Sequence, residues 1–217
     1  MLSLPKRTLY NKKIPKNKFY KEIGTDSKLE SKFIQEVDYI VWKHKLSKET
    51  TNLEPTKEVE EIQVFEVFLK TEDLSKEVLE NIDRVIPYPI LYILRFNDKI
   101  KLVIAYKEKN KLDENRMVIH SYYETEWIKE DEMNIDILSG LTLKDVYDNI
   151  IRQLLPIENA EDDIEDLIEL NQRIEALKKD IEKLEKKMYR EKQFNKKVDI
   201  NRELRSKIKE LNSLTTK

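Results

Sequence analysis

VEEIQVFEVFLK, residues Val59 to Lys70, holds no turn former and is rich in β-branched and aromatic side chains, so it reads as a strand. Side chains alternate between the faces of a strand. Ile62, Val64, Glu66 and Phe68 therefore share one side, and Glu61, Gln63, Phe65, Val67 and Leu69 share the other. Both sides are substantially apolar, which is the pattern of a central strand covered on both faces.

The flanking sequence supplies the covering layers. Upstream, the polar stretch SKETTNLEPTKEV is a loop, and before it Ile40, Trp42, His44 and Leu46 alternate with Tyr39, Val41, Lys43 and Lys45 in a second strand. Asp26 or Ser27 caps a helix running through about Glu36, with Leu29, Phe33 and Val37 at helical spacing. Downstream, Ser75 begins a helix whose Val78, Leu79, Ile82 and Ile86 form an apolar stripe, and Pro87 stops it. Pro89 to Phe96, Ile100 to Tyr106 and Met117 to Glu124 read as a meander, with Asn97-Asp98 as its first tight turn. A helix from Leu141 to Leu155 ends at Pro156. The expected fold is α+β: a mainly antiparallel sheet of about five strands with flanking helices, over residues 1–157.

Residues 158–217 form a charged helical tail. Asn159 suits an N-cap, and Glu161, Asp162, Asp163, Glu165 and Asp166 suit the positive end of a helix dipole. Leu170, Ile174, Leu177, Ile181, Leu184 and Met188 then follow at alternating spacings of four and three, a heptad seam. The seam lapses across REKQFNKK, and Val198, Leu204, Ile208 and Leu211 resume in another register. An antiparallel hairpin turning near Gln193 to Lys197 accounts for the change better than one continuous coiled-coil rod.

Composition excludes several chemistries. The 217 residues carry 39% charged side chains, but 41 Lys and Arg against 43 Asp and Glu leave no overall bias toward nucleic acid or membrane. The absence of Cys removes thiolate catalysis and Cys-based zinc sites. Gly24 and Gly140 are the only glycines, so no glycine-rich phosphate loop can be drawn. His44 and His120 stand alone in sequence and read as core histidines, so neither a metal nor another cofactor is expected. No apolar run is long enough to span a bilayer and MLSLPKRTLYNKK lacks the core of a signal peptide, so a cytoplasmic location is expected.

Two local features carry candidate chemistry. Between Met1 and Lys21 there are seven basic side chains and no acidic one, so Lys6, Arg7, Lys12, Lys13, Lys16 and Lys18 are candidate phosphate contacts. The alternative is a segment that docks Leu4, Leu9, Ile14 and Phe19 while its lysines face water. Glu66 interrupts an apolar strand face, where an ionised carboxylate is costly unless partnered. Glu61, Glu66 and Lys45 are the least unsuitable candidates for a metal-dependent nuclease constellation, which needs paired carboxylates and a lysine. The nearest local match, Glu66 with Lys70, separates the two by about 13 Å along a strand, a poor fit.

WKHKLSKETTNL (Trp42 to Leu53), VEEIQVFEVFLK, IDRVIPYPILYIL (Ile82 to Leu94) and EKQFNKKVDIN (Glu191 to Asn201) together resemble the bacterial and archaeal family called domain of unknown function 4391. The resemblance covers nearly the whole chain and assigns no activity. It implies a setting beside helicase or DNA methyltransferase subunits of restriction-like, anti-phage systems, and it directs attention to Trp42, Lys45, Thr50, Thr51, Asn52, Glu61, Gln63 and Glu66. The resulting expectation is a non-catalytic accessory protein that uses Leu170, Ile174, Leu177, Ile181, Leu184 and Met188 to hold a partner protein or a second copy. A divergent nuclease and a nucleic-acid-binding module are the alternatives, the latter supported by eleven Lys or Arg against four Asp or Glu from Lys183 to Lys209.

Overall fold

The computed structural model describes residues 4–21, 27–110, 117–155 and 163–215. Its first unit, Met1–Leu154, is built on a sheet in which β1 (Leu9–Ile14), β2 (Val37–Leu46), β3 (Ile62–Leu69), β4 (Ile90–Phe96), β5 (Lys99–Lys109) and β6 (Met117–Glu124) lie side by side in chain order. A short β7 (Ile128–Lys129) pairs with the start of β5. The architecture is α+β, as expected, but the sheet has seven strands rather than five and is mixed.

Both differences have physical causes. β3 and β4 are parallel because the helix α4 (Lys76–Val85) carries the chain back before β4 begins, the connection that parallel neighbours require. All other pairings among the seven strands are antiparallel. β1 lies inside the basic N-terminal segment and shows no apolar alternation, because an edge strand exposed over five of its six residues has no face to bury. Its ladder is interrupted by a bulge between Leu9 and Lys12, where Asn11 takes a left-handed φ of 50°.

The sheet is covered on both faces. On one, Ile40, Phe65, Val67, Tyr92, Leu94 and Val103 pack with Phe19 of α1 (Asn17–Lys21), Phe33 of α2 (Ser27–Glu36) and Val78, Leu79 and Ile82 of α4. On the other, Leu46, Ile62, Val64, Leu91, Ile93, Leu102 and Ile104 are buried. There Tyr147 of α5 (Leu143–Leu154) donates to the Ala105 carbonyl at 2.6 Å and accepts from the Lys107 amide at 2.7 Å, where the β5–β6 ladder shifts register.

Two expected caps resolve differently. Ser75 occupies the N-cap position of α4, but its hydroxyl donates to Glu36 Oε1 at 2.6 Å and so ties α4 to α2. Asp26 and Asn159 lie outside the described residues.

The second unit, Leu155–Lys217, is a helical hairpin of α6 (Ile164–Arg190) and α7 (Phe194–Thr215). Asp163 caps α6, accepting from the Glu165 amide at 3.3 Å. The turn contains neither Gly nor Pro. Glu191 supplies the chemistry instead, since its Oε1 accepts from the amides of Lys192 at 2.8 Å and Gln193 at 2.9 Å. Leu184, Ile200 and Leu204 form the buried contact between the helices, flanked by Ile181 and Met188. Ion pairs Arg173–Glu210 at 2.6 Å and Asp180–Lys207 at 2.9 Å cross between them. The returning helix thus uses Ile200 and Leu204, whereas Val198 and Ile208 are exposed. No described helix is long and apolar enough to cross a membrane.

Truncating Leu204 to Ala should cost about 2 kcal/mol or more of local stability. Hydrogen exchange is predicted to accelerate in α6 and α7 while sheet amides keep their protection. Equal acceleration in the sheet would contradict two units with separate cores.

Candidate functional site

Lys45 and Glu61 come together. Strict alternation puts Lys45 on the opposite side of β2 from Trp42, but a bulge between Trp42 and His44 resets the register. Trp42 lies opposite Phe65 and Lys45 opposite Gln63, so both face the side that carries Glu61. Lys45 Nζ reaches Glu61 Oε1 at 2.6 Å, and Gln63 Nε2 donates to Glu61 Oε2 at 3.0 Å. The hydrogen bond to Glu61 raises the Lys45 pKa, so the amine stays protonated and has no lone pair with which to act as a base.

Thr50, Thr51 and Asn52 set the end of this strand. They form α3 (Lys48–Thr51) and its left-handed cap, Asn52 at φ 63°. Thr50 Oγ1 accepts from the Ser47 amide at 2.9 Å and donates to the Lys45 carbonyl at 2.7 Å, and Thr51 Oγ1 donates to the Ser47 carbonyl at 2.8 Å. Their role is to hold a turn.

Beside the Glu61 cluster lies a groove of about 410 Å³ with mostly apolar walls, lined by Trp42, Phe65, Tyr88 and Pro87 together with Gln63, Glu61 and Lys18. Gln63 is 2% exposed, and its Oε1 is buried with no hydrogen-bond donor among the described residues.

Glu66 faces the other side of the sheet, away from Glu61 and Lys45. Arg95 of β4 holds its Oε1 through Nε at 3.0 Å and Nη2 at 2.8 Å, and Lys43 of β2 stands 3.1 Å from its Oε2. Arg95 continues to Glu130 at 2.8 Å, and this contact holds the Glu130 carboxyl below its usual range. Two carboxylates meet two cations, so the buried charge is fully matched. The three nuclease candidates are therefore split between two faces, and no catalytic cluster forms from them.

A second buried charge gave no signal in the sequence. Lys107 of β5 and Asp83 of α4 are both fully buried and 2.6 Å apart. Lys107 Nζ also donates to the carbonyls of Tyr88 at 2.9 Å, Ile86 at 3.2 Å and Asp83 at 3.3 Å, satisfying the C-terminal end of α4. Burial pushes Lys107 below its usual value, and the Asp83 carboxylate opposes the shift. Tyr122 donates to Asp83 Oδ2 at 2.5 Å, and burial together with Asp83 raises its pKa, so it remains a donor.

A family model described as Domain of unknown function (DUF4391) matches residues 2–211. The chain belongs to the DUF4391 family. No curated protein and no solved structure matches it.

In this DUF4391 chain the basic N-terminal segment is docked. Lys16 donates to the carbonyls of Val37 at 2.6 Å and Phe33 at 3.3 Å, Arg7 donates to the Thr51 carbonyl at 2.9 Å, and Lys13 lies 4.3 Å from the centre of the Tyr39 ring. Lys6, Lys12 and Lys18 are exposed. Neither histidine sits in an apolar core: His44 is half-buried with Nδ1 2.8 Å from Thr8 Oγ1, and His120 is exposed with Nε2 3.1 Å from Glu108.

The tail seam is largely satisfied within the DUF4391 chain. Ile174, Leu177 and Leu184 are buried, and Leu170, Ile181 and Met188 are half-buried. Its most exposed apolar side chains lie at the hairpin tip instead: Tyr189 is 89% exposed and Phe194 77%, with Val198 beside them in sequence. From Glu185 to Val198, Lys186, Lys187, Arg190, Lys192, Lys196 and Lys197 outnumber Glu185 and Glu191. Among the described residues no ion pair engages Lys187, Arg190, Lys192, Lys196 or Lys197.

Removing one member of the buried Asp83–Lys107 pair leaves the other without its counter-charge. Asp83→Asn is predicted to cost about 3–5 kcal/mol in urea unfolding. A loss below about 1 kcal/mol, the level of an exposed pair, would show that the ion pair is not what holds α4 to β5.

Proposed function

We propose that this protein is a non-catalytic accessory component of a DNA-processing or anti-phage defence complex, and that it contacts nucleic acid through the tip of the α6–α7 hairpin. The observation that carries the reading is the pairing of Tyr189 and Phe194, both in water, with five cations that form no ion pair among the described residues. Aromatic faces in water stack on unpaired bases without demanding a sequence. Unpaired lysines and arginines beside them neutralise phosphates and release counterions. The family resemblance supplies the setting of helicase and methyltransferase subunits.

Two rival readings have weaker support. A protein partner seated along the Leu170–Met188 seam would have to compete with α7, which already covers Leu184 and its neighbours. A nuclease would need Glu61, Glu66 and Lys45 in one place, and the sheet puts Glu66 on the face away from the other two. Self-association through the hairpin would show instead in sedimentation, as an increase in mass without DNA.

Fluorescence anisotropy with a labelled single-stranded oligonucleotide at low salt tests the proposal. The intact chain is expected to bind, with log affinity falling as log salt rises by about 0.7 per phosphate contact. Tyr189→Ala with Phe194→Ala should weaken binding by roughly 1–3 kcal/mol per stacked base, and replacing Lys187, Arg190, Lys192, Lys196 and Lys197 by Gln should flatten the salt slope. Full binding by both variants, or loss only when Lys6, Arg7, Lys12 and Lys13 are replaced, would overturn it.

A further inference from the structure

We infer that the groove beside Trp42 and Gln63 is a binding site for a nucleobase with adjacent N–H donors, guanine above all, presented as a nucleotide whose phosphate meets Lys18. The inference stands on the first unit alone and is independent of the hairpin reading.

Three features set the chemistry of the ligand. The walls contributed by Trp42, Phe65 and Tyr88 favour a flat, apolar body, and about 410 Å³ lies in the range of roughly 300–1,000 Å³ typical of small-molecule sites. Trp42 and Phe65 have ring centroids 6.1 Å apart and are tilted by 55°, so the aromatic surface is preformed. The polar groups then dictate what the flat body must offer.

Gln63 commits its Nε2 to Glu61, so the group it has left is an acceptor, Oε1, with no donor among the described residues and no exposed surface. Such a group costs free energy while it stays unpaired. Glu61 stands next to it, and each of its oxygens, engaged once by Lys45 or Gln63, keeps a lone pair. Two neighbouring acceptors call for two neighbouring donors. Guanine presents N1–H and the N2 amino group on one edge, adenine only its N6 amino group, and uracil a single N3–H between two carbonyls that would face the acceptors. Because Oε1 has no exposed surface in the free protein, binding requires the Gln63 side chain to shift toward the groove while Nε2 stays on Glu61, a local adjustment of the groove lining.

Lys18 lines the same groove, is exposed and stands in the part of the chain without acidic residues. A cation at the mouth of an aromatic slot favours an anionic ligand over a free base. No phosphate loop is available, so the site holds a nucleotide by its base and performs no phosphoryl transfer.

Calorimetric titration of the full chain with GMP, AMP, UMP and guanosine tests this. GMP should bind, AMP more weakly, and UMP weakest. Gln63→Leu should weaken GMP about tenfold, the value of one hydrogen bond to a buried acceptor. Lys18→Ala, a surface change that leaves the fold intact, should weaken GMP and leave guanosine unchanged. No heat with any nucleotide at millimolar concentration, equal affinity for UMP and GMP, or GMP binding indifferent to both substitutions would each overturn the proposal.

Discussion

β3 is buried on both faces, and a carboxylate sits in the middle of it. An ionised Glu66 at 5% exposure is tolerable only with counter-charges close by, and the sheet supplies one from each neighbouring strand, Lys43 from β2 and Arg95 from β4. Arg95 is available because β4 runs parallel to β3, in the register that pairs Phe68 with Arg95. That register depends in turn on α4 crossing between them. The same crossing creates a second demand, because the carbonyls at the end of α4 need donors, and Lys107 reaches in from β5 with Asp83 to balance it. Strand order, crossover and buried charge are one linked arrangement.

Much of this was legible in the residues. The two apolar faces of Val59 to Lys70 identify the central strand, the stripe Val78, Leu79, Ile82 locates α4, and the spacing from Leu170 to Met188 identifies a helix with a seam. What the pattern misses has specific causes. β1 reads as a basic arm because an edge strand need not alternate. The face of Lys45 comes out inverted because one extra residue in β2, the bulge after Trp42, reverses the parity of everything beyond it. Lys107 looks like the solvated end of a strand, since nothing local signals that a helix terminus waits for its ammonium group. The hairpin turn carries no Gly or Pro because Glu191 caps the returning amides.

The candidate site was legible only in part. Glu66 stands out in sequence as a misplaced charge, yet the structure shows both its oxygens engaged, by Arg95 and Lys43. Glu61 and Lys45 do meet, as an ion pair in which the lysine is held protonated. Gln63 is singled out in sequence by the family resemblance alone, and its place in the groove comes from committing its amide nitrogen to Glu61. The helical tail illustrates the reverse case. Its seam, the most regular pattern in the chain, is largely used internally, and the apolar side chains most exposed there are Tyr189 and Phe194, which fall outside the heptad.

The division that emerges is between a sheet whose buried charges are balanced and a hairpin tip whose charges are not. Amide chemical-shift mapping of the labelled full chain, titrated with a short oligothymidine, which offers the groove no guanine, tests that division most directly. The account predicts that the largest shifts cluster between Glu185 and Val198, with the amides next to Glu66 and Lys107 unmoved. Saturable DNA binding that leaves the tip amides in place, or that shifts the strands around Glu66 instead, would contradict it.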